Sequence, residues 1–238
     1  GSSIDFAKSV AILLSTGNKD ITDFEFGEIA IKNTIQIIAI PTTCGSGSET
    51  TPYTVINNSE TGRKFTLTSN ELIPVKVFLD AKLLKSNSNQ TITDTSIDAL
   101  THFLEAGMNL QNGTKVFEIC KYGAIIIAND LPNFIKTKSE NSLFNLLEAA
   151  MIAGHCIFLS RTGLIHTLNV AVAKYTELSH GYLNGLIMPH VLNENLSLYN
   201  GRLADFFNED NDKLASSKIT KFIRKFIPES KKIHIPSE

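Results

Sequence analysis

The stretch Asp94–Leu110 reads DTSIDALTHFLEAGMNL, a strong helical pattern that holds the first candidate site of the chain. Asp98 and His102 stand four residues apart within it, so both project from one helix face, one turn from each other. A carboxylate oxygen and an imidazole nitrogen placed this way can supply two positions around a divalent cation. A simpler reading exists, because Thr95 to Asp98 also fits a capping box with Asp98 as its third-position carboxylate. Two further histidines lie downstream: His166 in TGLIHTLNV, inside an expected helix, and His180 in LSHGYLNG, at the start of the next. One Asp with three His is a mixed N/O donor set suited to Fe²⁺ or Zn²⁺ rather than to Ca²⁺ or Mg²⁺. A histidine on a helix is nonetheless usually a satisfied core or surface residue. His155 and His190 have no carboxylate partner in sequence and read as packing residues, and His234 sits in a Lys-rich tail and reads as solvated.

Outward from Asp94 the two sides of the chain differ in texture. On the C-terminal side the apolar spacing predicts helices over Asp94–Asn109, Lys115–Asn129, Ser142–Leu159, Thr162–Tyr175, Gly181–Tyr199 and Lys213–Phe226, punctuated by Asn112-Gly113 and Leu131-Pro132. On the N-terminal side, Asp5–Leu14 has helical spacing directly behind Gly1-Ser2-Ser3. Thr34–Ile40 (TIQIIAI) and Val75–Leu79 read as buried strands, and Pro52–Ile56 with Lys64–Thr68 read as a β-hairpin around Asn57–Gly62. The expected architecture is α/β plus all-helical, with an α/β part over residues 1–88 and a helical part over 89–238. A sheet of two or three strands with one helix is thin for an independent unit. The α/β part is therefore expected to lack its first portion, although Gly1-Ser2 alone would also fit a cloning scar.

Composition narrows the function classes. The chain has 238 residues, 42% hydrophobic and 19% charged, with 22 basic and 24 acidic side chains and a net charge of −2. That balance argues against a nucleic-acid binder or a polybasic membrane-surface protein. No apolar run approaches the ~20 residues of a bilayer span, and no signal peptide opens the chain. Cys44, Cys120 and Cys156 are odd in number and far apart, which fits neither a disulfide framework nor a thiolate cluster. The expectation is a soluble cytoplasmic protein.

Two loops rich in small residues could cradle phosphate. Gly1-Ser2-Ser3 precedes a helix, where backbone N–H groups and the helix dipole favour an anion. Thr42–Ser48 follows an expected strand, at the carboxyl edge where α/β sheets bind ligands. Neither matches a standard dinucleotide or P-loop fingerprint, and small residues after strands are most often just turns.

Taken together and in order, these segments resemble the iron-containing, or group III, alcohol dehydrogenases. Gly1-Ser2-Ser3-Ile4-Asp5-Phe6-Ala7-Lys8 is similar to the end of that family's Gly-Gly-Gly-Ser-x-x-Asp-x-(Ala/Cys)-Lys signature. Residues 40–49 (IPTTCGSGSE) resemble its I-P-T-T-x-G-(ST)-x-(AS)-E segment, and Asp98-Ala99-Leu100-Thr101-His102-x-x-Glu105 its D-A-L-x-H-x-x-E helix. Gly163-Leu164-Ile165-His166, His180-Gly181 and Met188-Pro189-His190-Val191 follow its G-x-x-H, H-G and L-P-H-V patterns. The resemblance spans roughly residues 1–200.

The resemblance implies a partial dinucleotide-binding α/β domain followed by an α-helical metal-binding domain, the dehydroquinate synthase-like superfold, with the site in the cleft between them. It implies Asp98, His102, His166 and His180 as ligands of Fe²⁺ or Zn²⁺. Gly1, Ser2 and Asp5 would face the pyrophosphate and ribose of NAD or NADP, Thr42, Thr43 and Ser46 would line the nucleotide, and Lys64 would lie toward the nicotinamide. The implied reaction interconverts a small primary alcohol and its aldehyde by hydride transfer, with the metal polarising the substrate oxygen. A homodimer, with no nucleic-acid or membrane partner, is the implied assembly. Where many members carry a second histidine four residues after the first, this chain has Val170, preceded by Asn169. Against the family pattern, the chain is expected to begin midway through the nucleotide domain and to have shortened last helices. Two alternatives remain beside the alcohol dehydrogenase reading: a non-catalytic, metal-stabilised scaffold of this fold, and a glycerol-dehydrogenase-like polyol oxidoreductase.

Overall fold

The computed structural model of the chain describes residues 1–58 and 61–229. It opens with helix α1 (Ser2–Thr16), which stops at Gly17, whose left-handed backbone (φ 75°) lets its N–H close onto the Leu13 carbonyl. Strands β2 (Tyr53–Asn57) and β3 (Lys64–Thr68) form the expected antiparallel hairpin, with Tyr53 opposite Thr68 and Asn57 opposite Lys64. Phe65 and Leu67 alternate inward from β3 and meet Ile12 of α1, Phe24 and Leu72 in a small core.

The two expected buried strands are shorter and half open. Only β1 (Ile38–Ala39) and β4 (Lys76–Val77) pair, in parallel. Ile37 and Ala39 are buried, whereas Ile38, Ile40, Val75 and Phe78 are more than half exposed. In a pleated strand successive side chains leave on opposite faces, so packing on one side only sends every second apolar residue to solvent. The continuous apolar runs had suggested cover on both faces.

A turn of 3₁₀ helix at Ala81–Leu84 leads into α2 (Asn89–Met108), which starts five residues before the expected Asp94. Ser88 is its N-cap, accepting the Thr91 N–H. Thr95 is thus well inside the helix, and the capping-box reading of Asp98 fails. Fourteen of the twenty α2 residues are buried, which makes it the central helix of the bundle. Around it pack α3 (Thr114–Thr137), α4 (Glu140–Ser160) and, beyond α5 (Leu164–Ala173), α6 (His180–Glu194). The larger core runs through Leu100, Phe103 and Leu104 of α2, Ile127 of α3, Leu147 of α4 and Met188 of α6.

Several helical expectations change. Leu131-Pro132 does not end α3: Leu131 and Phe134 bury on either side of the proline, and the helix runs on to a left-handed cap at Lys138. The expected helix over Gly181–Tyr199 breaks at Asn195 into α6 and the short α7 (Leu196–Tyr199), and α8 (Arg202–Phe207) precedes α9 (Asp212–Phe226). Helix α4, although interrupted by polar residues, reaches a mean hydropathy of 1.6 and is long and apolar enough to cross a membrane. Its apolarity is spent on α2 and α3, against which it packs at the centre of the bundle. His155 and His190 are exposed on outward helix faces and do not pack in the core. His234 lies outside the described residues.

Candidate metal centre

Helix α2 supplies the first two side chains, since the one-turn spacing brings Asp98 and His102 to the same face, both buried. Three residues on, Glu105 reaches across to the start of α5. Its carboxylate accepts the N–H groups of Gly163 at 2.8 Å, Ile165 at 2.6 Å and His166 at 3.3 Å, the donors a helix N-terminus leaves unpaired. The same Oε2 lies 2.6 Å from His166 Nδ1, which turns the opposite ring nitrogen, Nε2, toward Asp98. A carboxylate behind a ligating histidine fixes its ring and tautomer in this way.

His180 opens α6. The preceding Ser179 accepts the Tyr182 N–H and donates to the Asp94 carboxylate of α2. Gly181 lies so close to α2 that a Cβ there would stand 1.8 Å from the Asp94 carbonyl oxygen. These two contacts seat His180 beside the Asp98 face.

The four residues converge on one carboxylate oxygen. Asp98 Oδ1 is 3.4 Å from His166 Nε2, 3.5 Å from His180 Nε2 and 3.9 Å from His102 Nε2. The His102 and His166 rings stack at 4.6 Å, and His166 and His180 lie 5.3 Å apart. One ligand atom from each of Asp98, His102 and His166 falls within a 4.8 Å cluster, and His180, its side chain 40% exposed, forms the open side.

Charge in this cluster is strongly redistributed. Burial opposes ionisation of Asp98, yet the surrounding imidazoles outweigh it and hold the carboxyl far below its ordinary value. Burial pushes the His102 pKa down to about 4, against the attraction of Asp98. At His166 burial is overcome by the hydrogen bonds to Asp98 and Glu105, and the pKa rises to about 9. His180 is lowered by burial, with His166 and Lys64 adding to the effect.

The nucleotide candidates are placed less uniformly. Gly1 abuts Ser46, and a Cβ on Gly1 would stand 2.9 Å from Ser46 Oγ, so the two small-residue loops meet. Ser2 is exposed at the start of α1. Asp5 points inward: it accepts the Ser48 hydroxyl at 2.5 Å and the Val55 N–H at 3.4 Å, tying α1 to the loop and hairpin. Lys8, wholly buried, reinforces that tie by donating to the carbonyls of Ser48, Thr51 and Tyr53 at 2.7–2.8 Å. Thr42 is exposed and its carbonyl takes the Asn87 amide, while Thr43 is half-buried. Lys64 is exposed on β3. Gly45 and Gly47 serve packing: a Cβ would meet the Thr95 carbonyl oxygen at 2.7 Å and Gly154 Cα at 2.3 Å, respectively.

Three residues without an assigned role in the sequence reading complete the centre. Glu105 belonged to the quoted helix motif, and its position three after His102 and seven after Asp98 put it on their face. Asn184, four after His180, and Asn169, three after His166, carried the same helical signal; both are fully buried beside the cluster.

The family described as iron-containing alcohol dehydrogenase matches residues 1–81, and its C-terminal domain matches residues 92–223. The Escherichia coli protein named "Probable alcohol dehydrogenase EutG" is 34% identical over 198 residues, covering 82% of this chain and 49% of that protein. The NAD-dependent methanol dehydrogenase of Bacillus methanolicus is 29% identical over 206 residues, covering 86% of this chain and 54% of its own length. An iron-containing alcohol dehydrogenase of Thermotoga maritima, solved by crystallography, superposes with a TM-score of 0.83 at 27% identity, over 100% of this chain and 63% of that one. The chain spans about half the length of the sequence relatives it matches. With its motifs, its fold and both matched regions in agreement, the chain belongs to the iron-containing alcohol dehydrogenase family.

Proposed function

We propose that this chain provides the metal centre and one wall of the nucleotide cleft of an NAD(P)-linked oxidoreductase that interconverts a small primary alcohol and its aldehyde. The observation that carries the reading is the convergence of three imidazole nitrogens within 3.9 Å of Asp98 Oδ1. The donors fit a cation: one buried carboxylate facing three imidazoles is a set that Fe²⁺ or Zn²⁺ accepts. Asp98, His102, His166 and His180 would hold it. When bound, such an ion supplies Lewis-acid polarisation of a substrate oxygen, and a nicotinamide supplies the hydride chemistry.

The chain's own residues do the positioning. Glu105 keeps a proton on His166 Nδ1 and so leaves Nε2 directed at the centre. The exposed edge of His180 marks the side from which a substrate reaches the cluster, and the positive charge of Lys64 is close enough to act on the His180 ring. Asp5 and Lys8 set the start of α1 against the 42–51 loop, where Gly1, Ser2, Thr43 and Ser46 would receive the pyrophosphate. Val170, where many members of the family carry a second histidine, has no group that can carry a proton. The division of the chain at 88/89 is supported by the Ser88 cap and by the break between the two matched regions.

Elemental analysis of the purified protein tests the reading, beside Asp98→Ala and the His166→Ala/His180→Ala double variant. About one Fe or Zn per chain, lost in both variants, is the expected result, followed by a change in NADH fluorescence on binding. Folded protein that takes up neither metal would overturn it.

A further inference from the structure

Asn184 contacts both of the atoms a cation would need most. Its Nδ2 lies 2.8 Å from Asp98 Oδ1 and 3.2 Å from His166 Nε2, in a position with no solvent exposure. An amide nitrogen only donates, so the contact with Asp98 Oδ1 engages a carboxylate lone pair, and the contact with His166 Nε2 is a hydrogen bond when that nitrogen is bare. They hold the two side chains turned toward each other in an orientation that would present the same lone pairs to a metal ion. Behind Asn184 stands Asn169, whose Nδ2 donates to Asn184 Oδ1 at 2.7 Å and to the His180 carbonyl at 2.8 Å. The bond to Asn184 Oδ1 leaves Asn184 Nδ2 free to face Asp98 and His166.

We propose that Asn184 is a positioning residue that pre-aligns Asp98 and His166 for the cation and is itself held in place by Asn169. The proposal rests on the metal-centre reading above and adds what happens beside the ligands. The amide steadies the two side chains before loading, and the Asn169 Nδ2 bond to Asn184 Oδ1 keeps it facing them. Asn169 also spans the His166 and His180 helices, joining α5 to the first residue of α6.

Three variants test this through thermal unfolding and zinc affinity by chelator competition, each in chelator-treated and Zn²⁺-loaded protein. Asn184→Leu lowers the melting temperature of the chelator-treated protein more than that of the zinc-loaded protein, so zinc raises it by more than in wild type. Asn184→Asp, of the same shape, sets a carboxylate against Asp98 and binds zinc about tenfold more tightly. Asn169→Leu acts oppositely, weakening zinc binding about tenfold because the Asn184 amide loses the donor that holds it in place. A purely structural role would lower both melting temperatures equally in all three and leave the affinity unchanged, which overturns the proposal. Wild-type protein that binds no zinc or iron would instead overturn the metal-centre reading, and this proposal with it.

Discussion

Glu105 Oε2 lies 2.6 Å from His166 Nδ1, while Oε1 of the same carboxylate takes the Ile165 N–H at 2.6 Å. One side chain on α2 thereby fixes where α5 begins and which way its histidine faces. Glu105→Gln keeps the shape but replaces one acceptor oxygen with a donor. The expected outcome is a 10–100-fold loss of zinc or iron affinity, read by chelator competition, with the fold retained by circular dichroism. An unchanged affinity would show that the His166 ring is oriented by something else.

Lys8 makes stability depend on alkaline pH. Burial lowers its pKa to about 8, against 10.5 in an exposed lysine. Below pH 8 both folded and unfolded chains hold the proton, and the fold bears the full cost of a buried charge. Between pH 8 and 10.5 the unfolded chain binds more protons, so the unfolding free energy rises with pH. Lys8→Met abolishes that rise. It also leaves the Ser48, Thr51 and Tyr53 carbonyls without their donor, at a cost of about 2 kcal/mol near pH 7. Urea unfolding of both proteins at pH 7 and pH 10 checks the sign: the stability difference between them widens with pH.

Gly181 and Gly113 form a contrasting pair. A Cβ at Gly181 would stand 1.8 Å from the Asp94 carbonyl oxygen, whereas one at Gly113 meets nothing within 4 Å. Gly181→Ala must therefore push the start of α6, and His180 with it, away from α2. A loss of roughly 3 kcal/mol and a fall in metal content are expected, while Gly113→Ala stays within about 0.5 kcal/mol of wild type. Thermal unfolding and elemental analysis of the two variants decide it.

Phe103 and Gly123 show how closely α2 and α3 approach. A Cβ on Gly123 would fall 2.0 Å from Phe103 Cζ, so the ring fills the space the glycine leaves. Phe103→Ala empties that space and is expected to cost ~3–5 kcal/mol, measured by denaturant unfolding.

The hairpin of β2 and β3 was legible because its pairing is local: two alternating runs and a short polar connection are all it needs. The Asp98–His102 pair was legible for the same reason, since the one-turn spacing lies within one helix. Pro132 misled because a proline's local cost was weighed without the burial of Leu131 and Phe134 that opposes it. Thr34–Ile40 misled because a run of apolar residues does not say whether both faces of a sheet are covered. Helix α8 escaped because six residues are too few to show a period.

His166 and His180 stood out by residue type, but only their place in an ordered family pattern tied them to Asp98 and His102, as no spacing rule relates residues on different helices. The sequence by itself determined the central helix, the hairpin, the helical character of the second half and the residue types a metal site would use. Those are properties of one segment at a time, decided by periodicity and side-chain chemistry. Only the tertiary structure decided that Glu105 serves α5 rather than its own helix, that Asp5 and Lys8 face inward, and that Asn184 touches both Asp98 and His166. These relationships join residues 18–86 positions apart, and the packing of α2 against its neighbours and of α1 against the loop and hairpin sets their distances.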